Sequence, residues 1–220
     1  MKTTMKKYSL LLLLAVLSLS TAATAQEFST DPSEFLIAKM AAEEGRYDEA
    51  LSRLDKVIAR NPDDEVLRYE RAMILLDAGR MDRAESELRA VLQKSPDFYD
   101  GNRVLGRVLL DGAGSDRAKV EEALRYLQAA YKSNPDDLST GIAVSQILRS
   151  LNRIAEAERV LASMVERAPD QRSLNFNYAQ VLSALDRIPE ARQYLEKTVA
   201  IDPTFGAAVR MWHPIRSAPA

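Results

Sequence analysis

The sequence contains no cysteine and a single histidine, His213, in 220 residues. Without thiols there are no disulfide staples, so a fold in an oxidising compartment must hold by packing alone. One imidazole and no thiol also exclude a Cys–His nucleophile pair and a multi-histidine zinc site. A Ser–His–Asp relay would need His213 held in a rigid shell, and His213 stands beside Pro214 near the end of the chain. A glycine-rich phosphate loop is missing too: Asp111-Gly112-Ala113-Gly114-Ser115 has no Lys-Ser/Thr after it. Adjacent acids such as Glu43-Glu44 and Glu121-Glu122 fit solvated helix faces. The chain is therefore read as non-enzymatic, with no metal and no other cofactor. An excess of positive charge is absent as well, with 30 basic against 32 acidic residues. Nucleic acid is disfavoured as a partner, because its phosphates require a basic face.

Hydrophobic runs are scarce, and the one that exists lies at the start. Lys2, Lys6 and Lys7 precede an apolar run at residues 10–19 that is broken only by Ser18. Ala23-Thr24-Ala25 then supplies the small-x-small pattern of a signal-peptidase site, so cleavage is expected after Ala25. The run is short for a membrane span, which needs about 20 residues. The expectation is a bacterial export signal and a periplasmic protein. An uncleaved signal would instead leave residues 8–25 as an inner-membrane anchor. No cysteine follows the run, so a lipoprotein is excluded. The mature chain holds no later span, and loses three lysines with the signal, leaving 27 basic against 32 acidic residues.

What the sequence does have is a repeat. Ala, three residues, Leu, seven residues and Pro recur five times: Ala50-Leu54-Pro62, Ala84-Leu88-Pro96, Ala123-Leu127-Pro135, Ala157-Leu161-Pro169 and Ala191-Leu195-Pro203. The prolines are 34, 39, 34 and 34 residues apart. A period near 34 marks stacked helical hairpins. Ala and Leu four apart share a helix face, and an apolar residue one turn on (Val57, Val91, Ala130, Met164, Val199) continues the stripe. Proline stops the helix. Asp and Asn around it offer caps for the next one, as in Asn61-Pro62-Asp63-Asp64 and Asn134-Pro135-Asp136-Asp137.

A preceding helix is legible in each copy. Small residues stand before the Ala at Ala38, Ala72, Gly106, Ser145 and Ala179. Ala41, Leu75, Leu109, Leu148 and Leu182 follow three positions later. Gly45, Gly79, Asn152 and Asp186 are residues that tolerate the left-handed turn between two helices. Pro189 suits the first turn of a helix. The third copy is five residues longer, and the extra length is expected as a loop within 111–120, with helix resuming at Lys119. After Pro203 a short helix over 206–212 is expected to stop before Pro214. Its Val209 and Trp212 would cap the stack, and 217–220 would form a tail.

This pattern resembles the tetratricopeptide repeat family over residues 31–205. The resemblance implies an all-α, right-handed solenoid of five hairpins (31–64, 65–98, 99–137, 138–171, 172–205). It is preceded by the signal (1–25) and a linker (26–30), and followed by a capping stub (206–220). The family's aromatic at the fourth place is replaced by Glu34, Arg68, Asn102, Gly141 and Asn175, and Arg71 replaces an apolar residue.

By the same resemblance, a groove is lined by the fifth, ninth and twelfth or thirteenth places of each repeat. These hold Phe35, Lys39, Tyr69, Met73, Arg103, Arg107, Ile142, Gln146, Arg149, Phe176 and Gln180. Aromatic, Met and Arg side chains together suit a protein or peptide ligand. Arg103 and Arg107, four apart, suit an acidic group. The expected activity is a scaffold or adaptor that binds a protein or peptide in envelope assembly or secretion. A second reading is a structural subunit that forms homo-oligomers through its convex face or its ends.

Overall fold

The computed structural model describes residues 32–216. The expected signal or anchor, the linker at 26–30 and the tail at 217–220 lie outside the described residues. Every element among the described residues is helical. In order they are α1 (Pro32–Glu43), α2 (Tyr47–Arg60), α3 (Glu65–Asp77), α4 (Met81–Lys94), α5 (Tyr99–Asp111) and α6 (Arg117–Ser133). Then follow α7 (Leu138–Ser150), α8 (Ile154–Arg167), α9 (Arg172–Ala184), α10 (Ile188–Ile201) and α11 (Gly206–Arg216). The chain divides into two compact units, one up to Leu67 and one from Arg68 onward, with the boundary inside α3.

In the first unit α1 and α2 form one hairpin. Ala38 and Ala41 on α1 and Ala50, Leu51, Leu54 and Val57 on α2 are buried. Glu34 bonds Arg53 at 3.2 Å, so an ion pair occupies the place where the family carries an aromatic ring. Leu36, Ile37 and Met40 stay 37–46% exposed on α1.

In the second unit the hairpins α5–α6, α7–α8 and α9–α10 repeat one packing rule. The small residue of the first helix lies against the Leu of the second. At Gly106 a Cβ would come within 2.6 Å of Leu127 Cγ and 3.2 Å of the Ala123 carbonyl oxygen. Leu88, Leu109, Leu127, Leu148, Leu161, Leu182 and Leu195 are buried, as the repeat spacing requires. Full burial of such a side chain contributes roughly 1.5–3 kcal/mol.

The hairpin turns follow from backbone chemistry. Gly45, Gly79, Asn152 and Asp186 adopt positive φ of 76°, 71°, 62° and 61°. Each lets the next amide reach back to a carbonyl five residues earlier, as in Arg153 N to Leu148 O at 2.7 Å and Arg46 N to Ala41 O at 2.8 Å. Orphan helix carbonyls are thereby satisfied. The residue that donates is an arginine in all four turns: Arg46, Arg80, Arg153 and Arg187. Between repeats, Asp64 and Asp137 accept two backbone amides each and start the following helices.

Several expectations are corrected. The insertion in the third copy is divided between loop and helix. The connection 112–116 has five residues where the other hairpin turns have three, and α6 has 17 residues where the other second helices have 14. Helix resumes at Arg117 and not at Lys119, because the Asp116 carboxylate caps the amides of Ala118 and Lys119. In the fifth copy Thr198 takes the place three residues after Leu195, and half-buried Val199 beside it packs against the last core. Thr198 is buried and donates its hydroxyl to Tyr194 O at 2.7 Å. At the C-terminal end α11 runs through Pro214 to Arg216. Proline costs a helix the bond to the carbonyl four residues back, and here that carbonyl belongs to exposed Arg210, where water can take its place. The cap on the last hairpin is built by Phe205, Ala208, Met211 and Trp212 against Ala179 and Leu195, without Val209.

The unusual fourth places also have local explanations. Asn102 is buried and donates to Pro96 O at 2.7 Å and Phe98 O at 3.0 Å. Asn175 donates to Pro169 O at 2.7 Å. Each asparagine fastens the proline turn to the helix that follows it. At Gly141 the space is filled by Met164 and Tyr131, while Arg68 and Arg71 both reach Glu87.

Asp137 links three pieces of chain. Its carboxylate accepts from the amides of Ser139 and Thr140, from both of their hydroxyls, and from Tyr99 Oη on α5 at 2.6 Å. Burial opposes its ionisation, but these donors outweigh burial and hold the carboxyl well below the usual range. Stability from a depressed carboxyl is full above its unfolded value and is lost as pH falls below it. Asp137→Ala is expected to lower the unfolding free energy by about 1–2 kcal/mol near neutral pH. In urea titrations the difference from the parent should shrink below about pH 4. An undiminished difference in acid would show that the charge of Asp137 contributes nothing.

Candidate functional site

The residues expected to line a groove stand on α1, α3, α5, α7 and α9, the first helices of the hairpins. Phe35 and Lys39 belong to the first unit, where both are half-buried on α1. The other nine belong to the second unit and fall into three groups.

The first group is Tyr69, Met73, Arg103 and Arg107. Tyr69 packs edge-on against Phe98, with ring centroids 5.2 Å apart. Burial, together with the nearby Asp100 carboxylate, raises the pKa of its hydroxyl. Arg103 bonds Asp100 at 3.1 Å and lies 5.7 Å over the Tyr99 ring. Its Nε is buried and has no hydrogen-bond partner among the described residues. Burial works against its charge, and Asp100 more than restores it. Arg107, one turn further along α5, is exposed.

Met73, Arg103 and Arg107 line one cavity of about 540 Å³. Leu76, Val104 and Val108 add apolar wall. Met81, Asp82 and Glu85 enter from α4, and Asp111, Gly112 and Lys119 from the lengthened third copy.

The second group is Gln146, Arg149 and Gln180. Gln146 Nε2 donates to Asn177 Oδ1 at 2.9 Å, and Arg149 donates to Gln180 Oε1 at 2.6 Å. These bonds tie α7 to α9, so part of the polar capacity of this wall is used internally. The third group consists of ring and aliphatic contacts. Ile142 leans on the core built around Leu148 and Leu161. Phe176 meets Phe205 edge-on at 4.9 Å. The structure does not bring these nine residues into one uniform strip.

Met81, Leu76, Val108 and Lys119 were not expected at a site. Met81 was detectable: it opens α4 outside the Ala84-Leu88-Val91 stripe and is 53% exposed. Lys119 was expected to open the second helix of the third copy; the Asp116 cap starts that helix at Arg117, so Lys119 lies within its first turn. Among the described residues no group of His, Asp or Glu is arranged to hold a metal ion. Nor is any described helix long and apolar enough to cross a membrane.

Helical hairpins with a period near 34, closed by left-handed turns and joined by proline turns, define an all-helical repeat scaffold. The tetratricopeptide repeat model matches residues 41–111, 116–175 and 148–211. The chain belongs to the tetratricopeptide repeat family, and its fold is the all-α solenoid of that family. No curated protein matches the sequence. Among solved structures it is similar to YrrB, described as a tetratricopeptide protein with an unusual peptide-binding site. The TM-score is 0.66 at 19% identity, covering 81% of this chain and 89% of that one. It is also similar to MamA from Desulfovibrio magneticus RS-1, with a TM-score of 0.65 at 17% identity, covering 81% of this chain and 99% of that one.

Proposed function

We propose that this chain is an exported, non-enzymatic scaffold that binds a protein or peptide segment along the first-helix wall of its repeats. The observation that carries this reading is the joint placement of Met73, Arg103 and Arg107 around an apolar cavity. Apolar, Met and Arg side chains on a rigid helical support suit peptide recognition. The peptide-binding site of YrrB, on a similar fold, adds support. The expected setting is envelope assembly or secretion in the periplasm. A second reading, assembly of copies through their ends, draws on the exposed Leu36, Ile37 and Met40 of α1.

In-cell crosslinking of the tagged chain, beside an Arg107→Glu/Gln146→Glu variant, tests the site. Both positions are exposed, so the fold should survive. A partner captured by the parent and lost in the variant is the expected result. Equal capture would move binding to the convex face or the ends, and a homotypic crosslink retained by the variant would favour self-assembly. Mass spectrometry of the purified chain tests export: a mature start at Gln26 is expected, and an intact N-terminus would favour the anchored form.

A further inference from the structure

The cavity beside Arg107 differs from the rest of the first-helix wall. Part of its wall is apolar: Met73 and Leu76 from α3, Val104 and Val108 from α5. Met81 adds a flexible thioether that is half-exposed, a side chain suited to adapting around an apolar guest. At about 540 Å³ the space lies within the range of small-ligand pockets and well above a single water.

The charges in the cavity are not evenly placed. Arg103 and Arg107 stand one turn apart on α5, and Lys119 joins them from α6. Arg107 pairs with no carboxylate among the described residues, and the buried Nε of Arg103 donates to none of their groups. The acids Asp82 and Glu85 stand on α4. Glu85 is already bonded to Arg89 at 2.8 Å, and Asp82 sits in the first turn of α4, where it complements the helix dipole. Asp111 ends α5. The cations thus stand on α5 and α6, with Asp111 at the far end of α5, and the acids of the α4 side repel a second acid.

We propose that this cavity receives one large apolar side chain of a partner polypeptide, with an adjacent Asp or Glu of that partner on exposed Arg107. This deepens the groove reading and rests on it. The apolar residue displaces water from the Met73–Val108 wall. The carboxylate supplies the acceptor that the Arg107 guanidinium lacks, Arg103 being held by Asp100. Lys119 reaches the site from the helix of the copy that carries the insertion. The acids on α4 orient the guest by placing its acidic end toward α5.

Methionine-methyl NMR on the full-length chain tests this directly. Met73 and Met81 report on the cavity, and buried Met164 serves as an internal control. The probes are N-acetyl-Leu-Glu-amide and N-acetyl-Leu-Lys-amide, titrated to roughly ten millimolar, where weak contacts are still visible. The acidic probe should move Met73 and Met81 and leave Met164 unmoved, with about fivefold tighter binding than the basic probe. Arg107→Glu should abolish that preference, and Lys119→Glu should weaken it. Silence at both methyls, or equal response to the two probes, would overturn the proposal. The groove reading is judged separately: partner capture lost in Gln146→Glu alone would uphold the groove even with the cavity excluded.

Discussion

The close approach of two helices across a residue with little or no side chain is the constraint on which the hairpins depend. At Gly106 there is no room for even one added carbon against Leu127. Ala72, Ser145 and Ala179 hold the same place in their copies and are buried. Because the small residue admits the facing Leu, the apolar stripe of each second helix can close on the first. Ser145 shows how a polar residue is accommodated there: its hydroxyl bonds Ile142 O at 2.7 Å within its own helix. With no disulfide available, these contacts and the cores built on them carry the stability of the unit.

Polar chemistry then sets where each helix starts and stops. Left-handed Gly, Asn or Asp closes the first helix, an arginine amide seals the turn, and an aspartate after the proline opens the next hairpin. Among the turn arginines, Arg46, Arg153 and Arg187 also form ion pairs. Arg187 bonds Glu190 in its own helix and Glu158 of the preceding hairpin at 3.0 Å. Glu158 in turn accepts from Tyr178 at 3.1 Å, and burial plus that carboxylate push the Tyr178 hydroxyl up to about 12. Neighbouring copies are stitched by polar contacts at their rims as well as by apolar ones inside.

Most of this was legible in the sequence because it depends on spacing. The period, the Ala–Leu stripe and the four left-handed residues follow from local rules that each copy repeats. What could not be read depends on which acceptor or solvent each polar group finds once the chain is folded. Thr198 fills an apolar place because Tyr194 O accepts its proton. Pro214 stays within a helix whose orphaned carbonyl belongs to exposed Arg210. Asn102 and Asn175 replace an aromatic ring by bonding a proline carbonyl six residues earlier. At the candidate site, the fifth and ninth places could be assigned from the resemblance. Their division into a cavity group, a hydrogen-bonded group and a packed group could not, because it depends on which side chains meet across copies. Met81 and Lys119 complete the cavity from outside those places.

The scaffold and its site are therefore coupled: the lengthened third copy adds Lys119 and Gly112 to a cavity whose walls the repeat packing holds in place. The account stands or falls on that packing. Urea unfolding of Gly106→Ala beside Gly112→Ala is the most direct measurement. Gly112 has negative φ and its added carbon would meet only ordinary contacts. The account predicts a loss of about 1–3 kcal/mol at Gly106 from overpacking, and no loss, or a gain of about 0.4–1 kcal/mol, at Gly112. Unchanged stability in Gly106→Ala would contradict it.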